Sequence, residues 1–245
     1  MGDFNFERDC SVSFGSITKH IEFKINSAEI TATELENMGY TISSDKQTAS
    51  KDVTCDTATY TFEKLPEDLE DIKKIPLDNK FGPMAACICT IALYTPEKKV
   101  SIQTVDYKTW EINEAFDYLN GKCEIANVHK QNTVDILNNA FGYNTNTVSG
   151  GCYEYFDGAS NTNGYIPNKP YSFTIYEGPY FIPAKAATIA HPNGEPEKHM
   201  IFVEPEGDES ARYIDVYHSG DGNWYSWDIS FKHLLASMKQ VSTGW

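Results

Sequence analysis

Hydrophobic and polar positions divide the chain into a short N-terminal part, a central part with helical periodicity and a C-terminal part with two-residue periodicity. Near the N-terminus, residues 11–27 alternate in patches and predict a β-hairpin, and residues 31–38 predict a short helix capped by Thr31 or Thr33. A polar stretch rich in serine and threonine follows and predicts a linker. The resulting division is a small N-terminal unit over residues 1–40, a linker over 41–56 and a main domain over 57–245.

Four segments in the first part of the main domain have the apolar spacing of helices. Pro66 suits the first position of a helix over residues 66–75, and acidic residues in its first turns favour the helix dipole. Residues 81–96 are apolar on nearly all sides and predict a central buried helix. Two amphipathic helices follow, over residues 110–121 and 132–142. The buried side of the first of these is predicted to carry Ile112, Ala115, Phe116 and Leu119.

Strands are predicted where apolar residues alternate with polar ones, as Tyr171, Phe173 and Ile175 do on one face of a strand. Helices first and antiparallel strands after them are typical of an α+β fold. We expect an antiparallel sheet of four to five strands packed against a layer of three to four helices, plus the small N-terminal unit. Further strands are predicted over residues 58–65, 199–205, 213–219 and 223–230, and residues 231–240 predict a short helix or a last strand.

The last predicted hairpin is a candidate site, because it holds a histidine, three aspartates and two tryptophans. A loop of two residues, Asp221-Gly222, or of four residues pairs the same positions. Either loop places Val216 opposite Trp227 on the buried face and Asp215 opposite Asp228 on the other. Two opposed carboxylates are unfavourable unless water screens them, one holds a proton or a cation lies between them. Solvated surface is the favoured interpretation, and Asp215 and Asp228 are weak candidates for a metal site.

Composition narrows the classes of function. The chain has 245 residues, with 20 lysines and arginines against 35 aspartates and glutamates, so its formal net charge is −15. Such a charge repels phosphate backbones and anionic lipid headgroups, so we expect no nucleic-acid or membrane-surface partner. No apolar run is long enough for a transmembrane helix, and the N-terminal residues lack the apolar segment of a signal peptide. We expect a cytoplasmic protein.

The six cysteines predict neither a zinc site nor a disulfide framework. They form no CxxC pair and no cluster with histidine, and the chain is long enough to fold without disulfide bonds. Cys87 and Cys89 lie in the apolar 81–96 segment, which favours free thiols buried as small hydrophobic side chains. We expect no metal and no cofactor.

The same residues allow an enzymatic interpretation. Papain-type cysteine peptidases place their nucleophile at a helix N-terminus and a histidine on a later strand, and Cys87 or Cys89 with His199 has that outline. Phe81, however, stands where a nucleophilic cysteine would precede Gly-Pro, and both thiols lie a turn or more inside the helix. A cysteine–histidine hydrolase, intact or degenerate, is therefore kept as the alternative function.

The segment 152–181 carries nine aromatic residues in thirty positions, against 13% in the whole chain. Exposed tyrosines offer wide contact area at low entropic cost, which suits a protein, peptide or glycan partner. The more frequent role of such residues is to pack a sheet against helices. We expect a non-enzymatic interaction or ligand-binding module that uses this region. Its candidate contact residues are Tyr153, Tyr155, Tyr165, Tyr176 and Tyr180.

Three long stretches carry a family resemblance, namely TYTFEKLPEDLEDIKKIPLDNKFGPMAACICTIALYTP, NGYIPNKPYSFTIYEGPY and GNWYSWDISFKHLLASM. The strand–Leu-Pro–helix start, the Leu-Asp-x-x-Phe-Gly helix entry, the Tyr-x-Pro-x-x-Pro-Tyr strand and the Trp-x-x-Trp strand resemble an uncharacterised family of gut-associated Gram-positive bacteria. The resemblance covers residues 57–242 and leaves residues 1–50 outside it. Residues 142–152 and 184–198 are longer than the loops usual in that family. The resemblance implies no activity and assigns no functional residue.

Overall fold

An antiparallel sheet of seven strands forms the centre of the fold. The fold is that of a computed structural model, which describes residues 4–26, 30–93, 114–121, 147–148, 153–178, 198–205, 211–227, 232–235 and 241–242. The strands of the sheet are β1 (Cys10–Lys24), β2 (Thr41–Ile42), β3 (Thr48–Phe62), β5 (Tyr171–Glu177), β6 (Lys198–Val203), β7 (Arg212–His218) and β8 (Trp224–Ser226). Two short strands, β4 (Thr147–Val148) and β9 (Val241–Ser242), pair separately.

Within the sheet, neighbouring strands follow the order β1-β3-β5-β6-β7-β8, and β2 pairs with β3. The described helices are α1 (Phe6–Asp9), α2 (Ala32–Asn37), α3 (Leu69–Ile72), α4 (Gly82–Ala92), α5 (114–119) and α6 (Lys232–Leu235). None of these helices has the length and apolarity needed to cross a membrane. The mixed α and β architecture is confirmed, but the sheet has more strands than the four to five expected.

The extra strands come from the N-terminal segment, where the predicted linker 41–56 needs correction. Residues from Thr48 onwards form β3, which pairs with β1 along 15 residues. Threonine is β-branched and suits a strand, and Ala49 and Cys55 supply buried positions between the polar ones. A Ser/Thr-rich composition was therefore insufficient to identify a linker. In place of the predicted hairpin, one long strand, β1, runs from Cys10 to Lys24.

The N-terminal segment also contributes to the main core. Phe4 is only 2% exposed and belongs to the same buried cluster as Ile72 and Ile75. Thr31 caps α2 through a capping box with Glu34, as the sequence predicted for one of two threonines. The separate N-terminal unit over residues 1–40 stays a prediction, and the burial of Phe4 in the main core argues against it.

Helix α4 is the central buried helix that the sequence predicted, and every residue from Gly82 to Ala92 is buried. It begins where a Cβ on Gly82 would lie 2.2 Å from the carbonyl oxygen of Pro76, so only glycine allows this close approach. One face of the sheet lies in the same core, with the rings of Tyr60 and Phe62 stacked on Phe173. Because α4, β3 and β5 pack in one buried cluster, this cluster holds the ends of β3 and β5 in fixed positions.

The other helix predictions have mixed outcomes. Helix α3 is shorter than predicted and begins after Asp68, whose side chain accepts a hydrogen bond from the backbone N–H of Asp71, so Pro66 lies outside it. In α5 the predicted positions Ala115, Phe116 and Leu119 are buried. Ile112 and the predicted helix 132–142 lie outside the described residues.

The register predicted for the β7–β8 hairpin is wrong by one residue. Val216 lies opposite Ser226, and His218 lies opposite Trp224. The backbone N–H of Trp227 donates to the carbonyl oxygen of Asp215 at 2.7 Å. Residues 219–223 form a connection with an odd number of residues, whereas loops of two or four residues were assumed, and an odd loop shifts every pair by one.

In the corrected register, Asp215 and Asp228, the weak candidates for a metal site, are no longer opposite each other. Asp215 lies at the level of Trp227 and not of Asp228, and Asp228 itself lies outside the described residues. The expected repulsion between two opposed carboxylates therefore has no basis in this register. Within the part of the chain that the structure describes, no group of three His, Cys, Asp or Glu side chains is arranged to hold a metal ion.

Candidate functional site

A cleft of about 470 Å³ lies where β5 begins, between the turn that follows β3 and the C-terminal end of α4. Clefts that bind small molecules usually have volumes of about 300–1,000 Å³, so this one has the size of a ligand site. Segments far apart in the sequence form its walls. The lining residues are Glu63, Lys64, Leu65, Pro66, Glu67, Ala92, Leu93, Tyr153, Lys169 and Tyr171.

Two tyrosine rings on one wall are held in place by a shared neighbour. Phe156 is fully buried, and its ring centroid lies 5.8 Å from that of Tyr153 and 6.0 Å from that of Tyr171. Phe156 also packs edge-on against Phe173 in the main core, at 5.3 Å. Because Phe156 is anchored in the core, Tyr153 and Tyr171 form a preorganised, half-buried aromatic wall.

The rim of the cleft carries charges of both signs. Lys64, Lys169, Glu63 and Glu67 all line the cleft, and Nζ of Lys64 lies 3.6 Å from Oε1 of Glu67. The ammonium group of Lys169 lies 5.5 Å from the centroid of the Tyr171 ring. The charged lining residues therefore sum to zero, although the whole chain carries a net charge of −15. The lysines offer hydrogen-bond donors and the glutamates offer acceptors, while their charges cancel within the lining.

Of the five tyrosines proposed as contact residues, Tyr153 lines the cleft. Tyr155 is buried in the main core, where its hydroxyl donates to the carbonyl oxygen of Leu234. Tyr165 and Tyr176 are also buried. The prediction that these three tyrosines are exposed contact residues is therefore wrong. Tyr155 packs in the main core, and Tyr176 of β5 stacks on Phe202 at 5.5 Å in a second buried cluster. Tyr180 lies outside the described residues.

Tyr171 was not among the predicted contact residues, although its place on a strand was predicted correctly. The strand begins at Tyr171, so this ring lies at the end of the sheet and is only half buried, while Phe173 on the same face is fully buried. An aromatic residue that begins a predicted strand lies at the end of the sheet, and this could have identified Tyr171 as a contact residue.

A network of charged side chains lies at the opposite end of β5. The imidazole Nδ1 of His199 lies 2.5 Å from Oε1 of Glu177, and Lys80 bonds to the other carboxylate oxygen. Lys80 also donates to Asp56 at 2.9 Å, and the ring of Trp224 packs edge-on against the imidazole at 5.0 Å. His199 was a candidate residue in the sequence, whereas its partners Glu177, Lys80 and Trp224 were not predicted.

Hydrogen bonding controls the charge of Glu177. The bond to His199 is the largest influence, and with the bonds to Lys80 it outweighs burial and lowers the pKa of Glu177 from 4.5 to about 2. Burial alone would lower the pKa of Lys80, but its hydrogen bonds to Glu177 and Asp56 raise it overall. Glu177 and Lys80 are therefore both charged at neutral pH, as a fixed ion pair beside His199.

The two cysteines considered as nucleophiles lie inside α4. Cys87 and Cys89 are fully buried, and burial raises the pKa of both thiols above the ordinary value of 9.0. A catalytic thiol requires the opposite, because the thiolate is the nucleophile. Helix α4 begins with Gly82 and Pro83 and offers no thiol in its first turn. His199 is therefore bonded to the carboxylate of Glu177, while Cys87 and Cys89 lie in the buried core.

Comparison with known proteins places the chain in a family. The model of a family described as a domain of unknown function (DUF6935) matches residues 64–242, so the chain belongs to that family. The match includes all but one of the residues that line the cleft, and also Glu177 and His199, whereas β1 and all of β3 precede it. Comparisons with curated proteins and with solved structures found no match.

Proposed function

We propose that this member of the DUF6935 family is a non-enzymatic ligand-binding module that binds a neutral oligosaccharide in the cleft beside Tyr153 and Tyr171. The observation that carries the proposal is the cleft itself, which has the volume of a ligand site and an aromatic wall from the 152–181 region. Preorganisation by Phe156 supports it further, because a wall that is already fixed loses little conformational entropy when a ligand binds.

The chemistry of the cleft favours a sugar over other ligands. Tyrosine rings pack against the C–H faces of sugar rings, and hydroxyl groups accept from lysine and donate to glutamate. The balanced rim of Lys64, Lys169, Glu63 and Glu67 gives a charged ligand of either sign no advantage. A peptide or another protein, which the sequence also allowed as partner, is the competing outcome of the test.

Array binding tests this proposal. We expect the wild-type protein to bind members of an array of neutral oligosaccharides, and not the acidic oligosaccharides or random peptides printed beside them. Tyr171→Ala should weaken that binding by about tenfold or more, because it removes half of the aromatic wall. Ile166→Ala is the matched control, since Ile166 is 68% exposed and does not line the cleft.

Two results would overturn the proposal. Binding that Tyr171→Ala leaves unchanged would place the ligand elsewhere on the protein. Selective binding of peptides, lost in Tyr171→Ala, would keep the cleft and replace the sugar with a peptide.

A cysteine–histidine hydrolase is the second candidate function, and one contact favours it. A carboxylate bonded to imidazole Nδ1, as Glu177 is to His199, is the contact that orients a catalytic histidine. The burial of Cys87 and Cys89 weighs against it, so we rank it below ligand binding. The cytoplasmic location and the origin in gut-associated Gram-positive bacteria also stay expectations from the sequence.

A further inference from the structure

Strand β1 lies at one edge of the central sheet, and its pairing geometry fixes which of its backbone groups face outwards. At the two ends of the β1–β3 ladder, Glu63 N–H donates to Asp9 O at 2.9 Å and Ile25 N–H donates to Gln47 O at 2.7 Å. The register between these ends is continuous, and in an antiparallel ladder every second pair exchanges hydrogen bonds. Odd residues of β1 therefore bond to β3, and even residues such as Phe14 direct their N–H and C=O away from the sheet.

The first half of this edge lacks the usual protection against pairing. Residues 10–16 contain no charged residue and no proline, which are the common devices that keep an edge strand from adding another strand. Residues 13–16 are all exposed, and Phe14 is 64% exposed. No strand in the described part of the chain pairs with the outer side of β1. The edge is an open row of backbone donors and acceptors beside an exposed aromatic ring.

Charge identifies the kind of segment that would fit. Asp56 lies opposite Ser16 and pairs with Lys80 at 2.9 Å, and Asp52 lies opposite His20 and pairs with it at 2.7 Å. Both carboxylates are still 65% and 69% exposed on the face that carries Phe14, so each can accept a further hydrogen bond from a basic side chain. The Phe14 ring lies 6.3 Å from Phe81, so an apolar side chain can pack there. A second copy of the chain would bring another net charge of −15 to the same edge, which opposes self-association.

We infer that β1 is a docking edge for an extended, basic segment of a partner protein, which adds to the sheet as a further antiparallel or parallel strand. Its main chain bonds to the outward N–H and C=O groups of Phe14 and Ser16. Its lysine or arginine side chains lie near Asp56 and Asp52, and an apolar side chain covers Phe14. This inference does not depend on the proposed function, because the cleft and the docking edge share no residue.

The test uses a fluorescent synthetic peptide of about ten alternating lysine and valine residues, with a glutamate–valine peptide as the charge control. Ser16→Pro removes one outward N–H without changing the charge, and proline is tolerated where an edge N–H faces solvent. Ser16→Ala keeps that N–H and is the matched control. We expect Ser16→Pro to weaken binding of the lysine peptide by about tenfold and Ser16→Ala by about twofold at most.

A second measurement guards against misfolding of the proline variant. In the wild-type protein, the lysine peptide should slow hydrogen exchange of the Phe14 and Ser16 amides, which are outward-facing when no peptide is bound. Equal binding by Ser16→Pro, or no change in exchange, would show that the peptide is attracted only by net charge and would overturn the inference. Failure of the lysine peptide to bind would also overturn the inference. So would a dimer, seen by sedimentation, that Ser16→Pro dissociates, because a second copy of the chain would then occupy the edge.

Discussion

Glu177 and His199 form a direct pair across the neighbouring strands β5 and β6, with the carboxylate Oε1 2.5 Å from the imidazole Nδ1. Both side chains are mostly buried, at 22% and 19% exposed. Lys80, which immediately precedes Phe81 at the start of α4, holds the other carboxylate oxygen. The network therefore joins the central helix to the sheet through one partly buried carboxylate.

Replacing Glu177 by glutamine should make stability less dependent on pH. The folded-state pKa of Glu177 is lowered from 4.5 to about 2, so its ion pairs stabilise the fold above about pH 4.5 and lose this effect as the pH falls towards 2. We expect Glu177→Gln to lower the free energy of unfolding by about 1–3 kcal/mol at pH 7 and by much less near pH 2. Urea unfolding at both pH values measures the difference.

Glu70→Gln is the control for this prediction. Glu70 also pairs with a lysine, Lys73, at 2.7 Å, but its side chain is 74% exposed, so its loss should have a smaller effect at either pH. An equal effect of the two substitutions would mean that the buried network contributes no more than a surface ion pair.

Nuclear Overhauser contacts test the corrected register of the β7–β8 hairpin. Pairs that do not exchange hydrogen bonds bring their Cα atoms to about 4.5 Å, so their Hα atoms give strong cross-peaks. Because the Trp227 N–H bonds to Asp215 O, the next pair, Val216 with Ser226, should give such a peak. A strong Hα peak between Val216 and Trp227 would restore the register that a two-residue loop implies.

Thiol labelling tests the burial of Cys87 and Cys89. We expect neither to react with an aromatic disulfide reagent in the native protein, because both are fully buried and burial raises their pKa. Both should react once the protein is unfolded in urea, and peptide mass spectrometry assigns each site. Rapid native labelling of either residue would favour the hydrolase over the ligand-binding module.

The N-terminal segment should be needed for stability. Phe4→Ala is expected to cost about 3–5 kcal/mol, because the ring lies in the main core. Phe14→Ala is the matched control and should change stability by about 0.5 kcal/mol or less, since that ring is 64% exposed. Deletion of residues 1–40 removes Phe4 and β1 together and should abolish the cooperative thermal transition. A truncated chain that still unfolds cooperatively would support a separate N-terminal unit.

The sequence predicted correctly those elements that depend on residues close together in the chain. The buried helix α4 follows from an apolar run bounded by prolines, and the cap of α2 follows from Thr31 and Glu34. The alternation along β5 correctly separated Phe173 and Ile175 from the exposed Thr174. Each of these depends on residues within one element.

Features that depend on distant residues were missed. Strand β3 is stabilised along its length by β1, so its Ser/Thr-rich composition was misread as a linker. The hairpin register depended on one residue in the loop at 219–223. The cleft joins residues near 65, 93, 153 and 170, and no spacing in the sequence predicts that they meet. The Glu177–His199 pair was also missed, although antiparallel neighbours bring the end of one strand close to the start of the next.

The most direct test of ligand binding is a fragment screen by NMR on the native protein, because ligand clefts bind fragments whether or not the natural ligand is known. We expect sugar-like and aromatic fragments to shift the ring resonances of Tyr153 and Tyr171 together with the methyl resonances of Leu65 and Leu93, and to leave those of Ile166 unchanged. Fragments that bind only elsewhere, for example beside Glu177 and His199, would contradict the cleft as the functional site, as would a screen in which no fragment binds.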